Sequence, residues 1–245
     1  MGKSKVDLFF CGDSFTWGEE LQGPEQNHNR REKERFSGVL SDMLGKTHQN
    51  ISRSGTSNDW IVKKTIEWFE TGNSCDTAII QFSHHYRWMW YDKDGQHHHM
   101  PANLGKNNSH IKFVEKYDAQ KAYMENVISS HFAAENYWKN MFVLRNYLKD
   151  KCKVIHLSLI TPPFGYIGKD YKKNFWCNSV GKVDVLALTP MLKPGDENWC
   201  KNLKNNILDS NHNNRFAGNH PSAIGHQIIA KTIFDQHFSP HQEYS

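Results

Sequence analysis

The sequence predicts an α/β fold, a three-layer α/β/α sandwich with about five parallel strands, in a single domain spanning residues 1–245. Short apolar runs, typical of strands buried on both faces of a parallel sheet, alternate with segments of helical periodicity. A Gly-Asp-Ser tripeptide directly follows the first apolar run, and in such sheets ligands bind beyond the carboxyl ends of the strands. A chain of 245 residues is long enough to bury the core of this fold.

Several apolar segments are predicted to be strands. They are 6–12, 47–52, 76–83, 153–160 and 183–188. The first, "VDLFFCG", is nearly continuous apolar sequence, whereas 76–83 and 153–160 are the strongest of the others and 47–52 is the weakest. Because helical segments lie between them, we expect the strands to be parallel.

The helical segments have recognisable ends. "ERFSGVLSDMLG" ends on Gly45, a suitable C-cap, and "SNDWIVKKTIEWFETG" begins on Ser57 or Asn58 as the N-cap. A longer helical pattern covers about 118–149, and a C-terminal one covers 222–238. Strand and helix therefore alternate along the whole chain.

Two irregular segments, 84–117 and 161–215, are interpreted as excursions of the same domain and as the source of substrate specificity. The first contains three adjacent histidines, His97, His98 and His99, in a loop flanked by glycine and proline. Neighbouring side chains point apart, so we expect a solvated loop there and no metal site.

Composition excludes several classes of protein. The chain has 30 basic and 26 acidic residues, and the basic ones are scattered except around 30–35 and 169–173, which argues against a nucleic-acid partner. Its 5 cysteines include no CxxC pair, so neither a disulfide framework nor a zinc ribbon is indicated and a reducing compartment fits best. The N-terminal apolar run is very short, so we expect no signal peptide, and no stretch of this sequence approaches membrane-spanning length. We expect a cytoplasmic protein, or one released by lysis, with no membrane insertion.

Ser14 in the Gly-Asp-Ser tripeptide has two interpretations. A serine after a strand is a common helix N-cap, worth about 1 kcal/mol. It is also suited to nucleophilic attack, since exposed amides and the positive end of a helix dipole favour an oxyanion there, provided that a base is available. "GNHPSAIGHQIIA" places His220 in the loop before the last helix, at the same edge of the sheet, and makes it the candidate base.

These blocks resemble those of the SGNH (GDSL-type) hydrolases. "CGDSFTWGEEL" is similar to the first block, "NISRSGTSND" to the N-x-x-x-x-G block through Asn50 and Gly55, and "HPSAIGHQIIA" to the last block from His220 onward. The resemblance spans the chain in the family's order. It implies the flavodoxin-like SGNH hydrolase fold and activity on carboxylic esters, thioesters or acetylated sugars, with no metal and no organic cofactor.

The resemblance also implies roles for single residues. Ser14 would be the nucleophile, His220 the general base and then acid, and the backbone amides of Ser14 and Gly55 the oxyanion donors. The family's G-x-N-D block is absent, because "SHHYRW" follows the strand 76–83, so the usual asparagine donor is missing. His84 or His85, or alternatively Asn58, is the candidate replacement.

A second departure concerns the acid of the triad. Ala217 stands three residues before His220, where the family has aspartate. Three explanations are open: a substitution engineered to trap a substrate, a natural variant that uses another acid such as Asp209 or a carbonyl, and a protein that binds without hydrolysing.

Further candidate substrate-binding residues are Asp13, Arg87, Trp88 and Trp90. Arg87 either binds an anionic group or pairs with a carboxylate. Trp88 and Trp90, which share one side of an extended segment, form either a face of the core or a wall for a sugar or acyl group.

Taken together, the residues and the resemblance predict a serine ester hydrolase that acts through an acyl-enzyme. A carbohydrate O-acetylesterase or a small-ester esterase is the first expectation, with a small-molecule or carbohydrate ester as substrate. The alternatives are a non-catalytic carbohydrate- or ligand-binding protein on the same fold, and a lipase or thioesterase. The sequence leaves the acyl group, the alcohol and the oligomeric state open.

Overall fold

A computed structural model describes residues 3–19, 21, 27–91, 97–100, 130–158, 185–188, 220–221 and 223–239. Its strands are β1 (Lys5–Cys11), β2 (His48–Asn50), β3 (Ser74–Phe82), β4 (Trp88–Tyr91), β5 (His97–Met100), β6 (Lys153–Ser158) and β7 (Val185–Ala187). Its helices are α1 (Ser14–Trp17), α2 (His28–Glu34), α3 (Phe36–Leu44), α4 (Asn58–Glu70), α5 (Ser130–Leu148) and α6 (Ala223–His237). The described ranges contain no helix that is both long and apolar enough to cross a membrane.

The main sheet has 5 strands in the order β2-β1-β3-β6-β7, and every neighbouring pair is parallel. In β1, Phe10 lies opposite Asn50 of β2 on one side and Ile79 of β3 on the other, and Ile79 lies opposite Ile155 of β6. The predicted parallel sheet is therefore confirmed. The carboxyl ends of its strands meet at one edge, where the candidate site lies.

The core consists of two apolar layers, one on each face of the sheet. Phe9 of β1 packs on one face against α4 and α5, with its ring stacked on Trp68 at 4.3 Å between centroids. The next residue, Phe10, packs on the opposite face against α3 and α6, with its ring edge-on to Phe36 at 6.0 Å. Because adjacent residues of a strand face opposite sides, an unbroken apolar run fills both layers. The predicted three-layer sandwich is confirmed.

The predicted helix ends are confirmed where the structure describes them. Gly45 follows α3 with a φ of 61°, in the left-handed region that favours glycine. The hydroxyl of Ser57 accepts a hydrogen bond from the amide of Trp60 at 3.3 Å and caps α4. Of the helical pattern predicted over 118–149, residues 118–129 lie outside the described ranges.

One part of the predicted excursions is regular. β4 and β5 form an antiparallel pair in which Trp88 lies opposite Met100 and Tyr91 opposite His97. The expectation of an irregular loop at 97–99 is therefore wrong for the backbone. A run of histidines has no alternation of apolar and polar residues, so the sequence contains no signal that would predict a strand at this position. Residues 101–117 and most of 161–215 lie outside the described ranges.

Candidate active site

The site begins at the turn between β1 and α1, where Gly12 has no room for a side chain. A Cβ on Gly12 would lie 2.4 Å from Oγ1 of Thr16 and 2.9 Å from Cβ of Gln81. Glycine therefore lets the first turn of α1 lie directly against β3.

Asp13, not Ser14, is the N-cap of α1. Asp13 has an extended backbone, and its Oδ1 accepts a hydrogen bond from the amide of Phe15 at 3.0 Å. The interpretation of Ser14 as the cap is therefore wrong. Ser14 is the first residue of the helix, is 1% exposed, and its Oγ has no hydrogen-bond partner in the part of the chain that the structure describes. This hydroxyl therefore contributes no hydrogen bond to the described part of the fold.

The side chain of Gln81, in β3, anchors the turn between β1 and α1. Its Oε1 accepts hydrogen bonds from the amide of Asp13 at 3.1 Å and from the hydroxyl of Thr16 at 2.8 Å. Gln81 is fully buried, and the sequence analysis missed it. The available signal was a single amide side chain inside the apolar run "DTAIIQFS", because a buried polar group needs a partner.

Asn50, at the end of β2, also bonds to this turn. Its Nδ2 donates to the carbonyl of Thr16 and to the hydroxyl of Ser37, both at 2.9 Å, and its Oδ1 accepts from the amide of Ser52 at 2.9 Å. Gly55, further along the same loop, has a φ of 75°, and among the described residues, its two chain neighbours aside, none has a heavy atom within 4 Å of the place where a Cβ would be. The Asn50 and Gly55 block thus combines an anchor with an open, glycine-dependent turn.

The other oxygen of the cap carboxylate pairs with a cation. Oδ2 of Asp13 accepts from the hydroxyl of Ser83 at 2.7 Å and from Nη1 of Arg87 at 3.0 Å, and Nη1 also donates to Oγ of Ser83 at 3.1 Å. Asp13 is fully buried, whereas the side chain of Arg87 is 19% exposed. Of the two alternatives for Arg87, the structure therefore shows the carboxylate pair.

Asn58 and Ser83 are joined through two hydrogen bonds. Oδ1 of Asn58 accepts from the amide of Ser83 at 2.7 Å, and its Nδ2 donates to the carbonyl of Ser83 at 3.3 Å. The amide donor of this candidate oxyanion residue thus bonds to the chain at the end of β3, and Asn58 links the start of α4 to the segment 83–87.

His84 and His85 lie between Ser83 and Arg87, with their rings stacked at 4.6 Å. His85 is 3% exposed, and burial, with a smaller effect of the neighbouring His84, lowers its pKa to about 4. His85 is therefore neutral near pH 7 and has one N–H to donate. Burial also lowers the pKa of His84, whose Nδ1 accepts from the amide of Tyr86 at 3.2 Å.

His220 lies beside the turn between β1 and α1 that contains Ser14. Its ring is edge-on to that of Phe15, the residue after Ser14, at 5.8 Å between centroids. Residues 15 and 220, which are far apart in the sequence, therefore lie together at this edge of the sheet, as the candidate pair of Ser14 and His220 requires. Ala217 and Asp209 lie outside the described ranges.

A second histidine, His226 of α6, lies fully buried behind His220. Its Nδ1 accepts from the amide of Phe36 at 3.1 Å, so the neutral ring has its hydrogen on Nε2. Burial, followed by the charges of His220 and Arg35, lowers the pKa of His226 to about 3. A neutral donor of this kind cannot act as the acid of a triad, because it cannot accept a hydrogen bond from His220 through Nε2.

The aromatic candidates are partly described. Trp88 is 9% exposed and its ring is stacked on that of Phe132 of α5 at 5.1 Å, while Phe132 is 43% exposed. Trp88 directly follows Arg87, so this aromatic pair lies next to the segment that bonds to Asp13. The backbone of Trp90 belongs to β4, and its side chain lies outside what the structure describes.

No protein-family profile and no curated protein sequence matches the chain. Solved structures do match it. A protein assigned to the G-D-S-L lipolytic family from Desulfitobacterium hafniense is 13% identical, with a TM-score of 0.50 and coverage of 94% of this chain and 97% of that one. A member of the same family from Veillonella parvula is 11% identical, with a TM-score of 0.46 and coverage of 96% and 98%. An acetylxylan esterase from Geobacillus stearothermophilus, in a catalytic mutant form, is 12% identical, with a TM-score of 0.45 and coverage of 96% and 94%.

The match to the Desulfitobacterium hafniense protein extends over almost the whole of both chains. This chain therefore has the fold of the G-D-S-L lipolytic proteins. The resemblance drawn from the sequence blocks is confirmed at the level of the fold.

Proposed function

We propose that this chain, which has the fold of the G-D-S-L lipolytic proteins, is a serine ester hydrolase that acts through an acyl-enzyme. The observation that supports this most directly is the hydroxyl of Ser14. It is buried at the N-terminus of α1, its turn is held by Asp13, Gln81 and Asn50, and it bonds to none of the described residues. A hydroxyl that is held in place but bonds to no described residue is suited to nucleophilic attack.

In the proposed reaction, Oγ of Ser14 attacks the ester carbonyl while His220 accepts the hydroxyl proton. The tetrahedral intermediate collapses, His220 gives the proton to the leaving alcohol, and the acyl group remains on Ser14. A water molecule, deprotonated by His220, then attacks the acyl-enzyme and releases the acid and the free Ser14 hydroxyl. The position of His220 against Phe15, the neighbour of Ser14, supports this pairing.

Three donors are proposed for the oxyanion: the backbone amides of Ser14 and Gly55, and the imidazole of His85. Each such donor contributes about 3 kcal/mol to the stability of the transition state. His85 suits this role because burial lowers its pKa to about 4, so it donates a hydrogen bond as a neutral group. It replaces the asparagine that the sequence lacks after β3.

The proposed reaction is slow, because Ala217 has no carboxylate to hold the imidazole of His220. In a serine protease, replacing the equivalent aspartate by asparagine costs about 10⁴ in rate. The proposed substrate is a small acyl ester whose alcohol is a carbohydrate or another small molecule. The partly exposed ring of Phe132, stacked on Trp88 beside Arg87, supports a sugar or other flat alcohol, since aromatic faces suit such contacts.

Hydrolysis of p-nitrophenyl acetate by wild-type protein and by Ser14→Ala tests the proposal. We expect Ser14→Ala to reduce the catalysed release of p-nitrophenol to the background rate, because no other group replaces the nucleophile. Labelling with a fluorophosphonate, followed by mass spectrometry of the peptide that contains Ser14, identifies the modified residue.

Ser52→Ala is the matched control. Ser52 is 2% exposed and its hydroxyl likewise has no partner among the described residues, but Ser52 does not begin a helix. This variant should retain wild-type activity. Release that survives Ser14→Ala, or equal loss in both variants, would contradict the proposal, and a protein without any Ser14-dependent release would be a ligand-binding protein on this fold.

A further inference from the structure

We propose that Arg87 is a positioning residue, whose charge neutralises the buried cap carboxylate of Asp13 and so permits a negative oxyanion to form at Ser14. The inference rests on the proposed function, since it assigns Arg87 a part in the same reaction. It gives Arg87 a role in the chemistry of the site that does not require contact with the substrate.

Asp13 presents an electrostatic problem at this site. Its carboxylate is fully buried and belongs to the residue directly before Ser14, where negative charge develops in the transition state. A buried carboxylate loses its hydration, and a second negative charge nearby would be repelled strongly in a medium of low dielectric constant. The carboxylate nevertheless remains useful, because its Oδ1 caps α1 through the amide of Phe15 at 3.0 Å.

Arg87 supplies the compensating charge. Nη1 of Arg87 lies 3.0 Å from Oδ2 of Asp13, and in the part of the chain that the structure describes no other ion pair includes Asp13. The hydroxyl of Ser83 bonds to the same oxygen at 2.7 Å, so the carboxylate has a bond to a main-chain amide, to a hydroxyl and to a cation. Removing one partner of such a pair leaves an uncompensated charge at the site, which is strongly unfavourable.

The same contacts position the proposed oxyanion donor. Ser83 and Arg87 both bond to Asp13, and His84 and His85 lie between them in the chain. Asn58 in addition bonds to the amide and the carbonyl of Ser83 at 2.7 and 3.3 Å. Both ends of the segment 83–87 therefore bond to the turn that contains Ser14, and His85 lies in the middle of the segment.

Arg87→Met tests the charge, since it keeps an unbranched apolar stem and removes the guanidinium. We expect kcat for p-nitrophenyl acetate to fall about 100-fold, with KM changed less than about threefold, because the lost interaction acts on the transition state. Arg87→Lys, which keeps a positive charge, should stay within about tenfold of wild type. Arg145→Met, on the exposed side of α5, is the matched control and should have wild-type kinetics.

The decisive variant is the double substitution Asp13→Asn with Arg87→Met. Asparagine still accepts from the amide of Phe15 but has no charge, so the oxyanion no longer faces an uncompensated carboxylate. We expect the double variant to recover at least about tenfold in kcat over Arg87→Met, whereas Asp13→Asn alone is impaired because it leaves Arg87 without its partner. A double variant as slow as Arg87→Met, or slower, would overturn the inference, as would a KM increase without loss of kcat.

Fluorophosphonate labelling distinguishes this inference from the proposed function. If wild-type Ser14 is neither labelled nor required for hydrolysis, both are overturned. If wild-type Ser14 is labelled and Arg87→Met is labelled equally fast, only the present inference is overturned. Circular dichroism and urea unfolding verify that each variant is folded, and Arg87→Lys together with the double variant keeps the test decisive should Arg87→Met not fold.

Discussion

Asp13 and Asp59 are two carboxylates at the starts of helices that follow strands of the main sheet, and they are compensated differently. Asp13, the cap of α1, is fully buried and bonds to a hydroxyl and to the guanidinium of Arg87. Asp59, in the first turn of α4, is partly exposed and accepts from the amide of Asn136 at 3.2 and 3.3 Å and from that of Asn140 at 3.1 Å.

The difference follows from burial and from what lies beside each group. Water shares the charge of a partly exposed carboxylate, so neutral amides suffice for Asp59, which joins α4 to α5. A fully buried carboxylate needs a cation, and the one beside Ser14 needs it most, because a second negative charge is proposed to form there. Of these two carboxylates, the one beside Ser14 is therefore compensated by a cation, whereas neutral hydrogen bonding suffices for Asp59.

Lowering the pH is expected to have the largest effect on the free energy of unfolding. We expect it to destabilise the region around Asp13 first. Burial lowers the pKa of His85 and of His156 to about 4 and that of His226 to about 3. Below about pH 6.5 the unfolded chain binds protons that the folded chain does not, so stability falls with falling pH by up to about 1.4 kcal/mol per pH unit for each histidine. Urea unfolding at pH 7.5 and pH 5 measures this loss.

A matched variant and a local probe sharpen the acid prediction. His156→Leu should reduce the pH dependence by about a third, because one of three such histidines is removed. Hydrogen exchange at the amide of Ser83, near His85, should rise with acid before exchange at the amide of Trp60 in α4. A stability that is flat between these pH values, or the opposite order of exchange, would contradict the prediction.

Removing each carboxylate tests the comparison directly. Asp13→Ala should cost about 3 kcal/mol of unfolding free energy, because it leaves a cation, a hydroxyl and a main-chain amide without their partner. Asp59→Ala should cost less, about 1 kcal/mol, since it leaves neutral amides and no cation without a partner. Urea denaturation curves of both variants measure the two losses of unfolding free energy. Equal losses would show that the two carboxylates contribute equally to stability and would contradict the comparison.

The alternation of strand and helix was predictable because burial on both faces of the sheet requires unbroken apolar runs such as that around Phe9. The identity of the cap was not predictable, because Asp13 and Ser14 are both good capping residues and only the backbone conformation decides between them. The hydrogen bonds from Gln81 and Arg87 to the turn that contains Ser14 depend on which strands are neighbours in the sheet. That information lies in strand order and register, not in local pattern.

The smallest expected effect concerns a single amide of the Asp59 cluster. Asn140→Ala removes one hydrogen bond to Asp59 while Asn136 keeps its contacts with both oxygens, so the cost should stay below about 1 kcal/mol. Thermal unfolding followed by circular dichroism is sensitive enough to measure it. A loss greater than that of Asp59→Ala would mean that Asn140 supports α5 by another contact.

The cap at Asp13 also has a practical use. Because the helix is capped by the residue before Ser14, Ser14→Ala should remove the proposed nucleophilic oxygen without weakening the fold. Such a protein would hold an intact ester in place indefinitely. Crystals of Ser14→Ala soaked with a panel of acetylated sugars would then display the preferred alcohol directly, by which compound is retained.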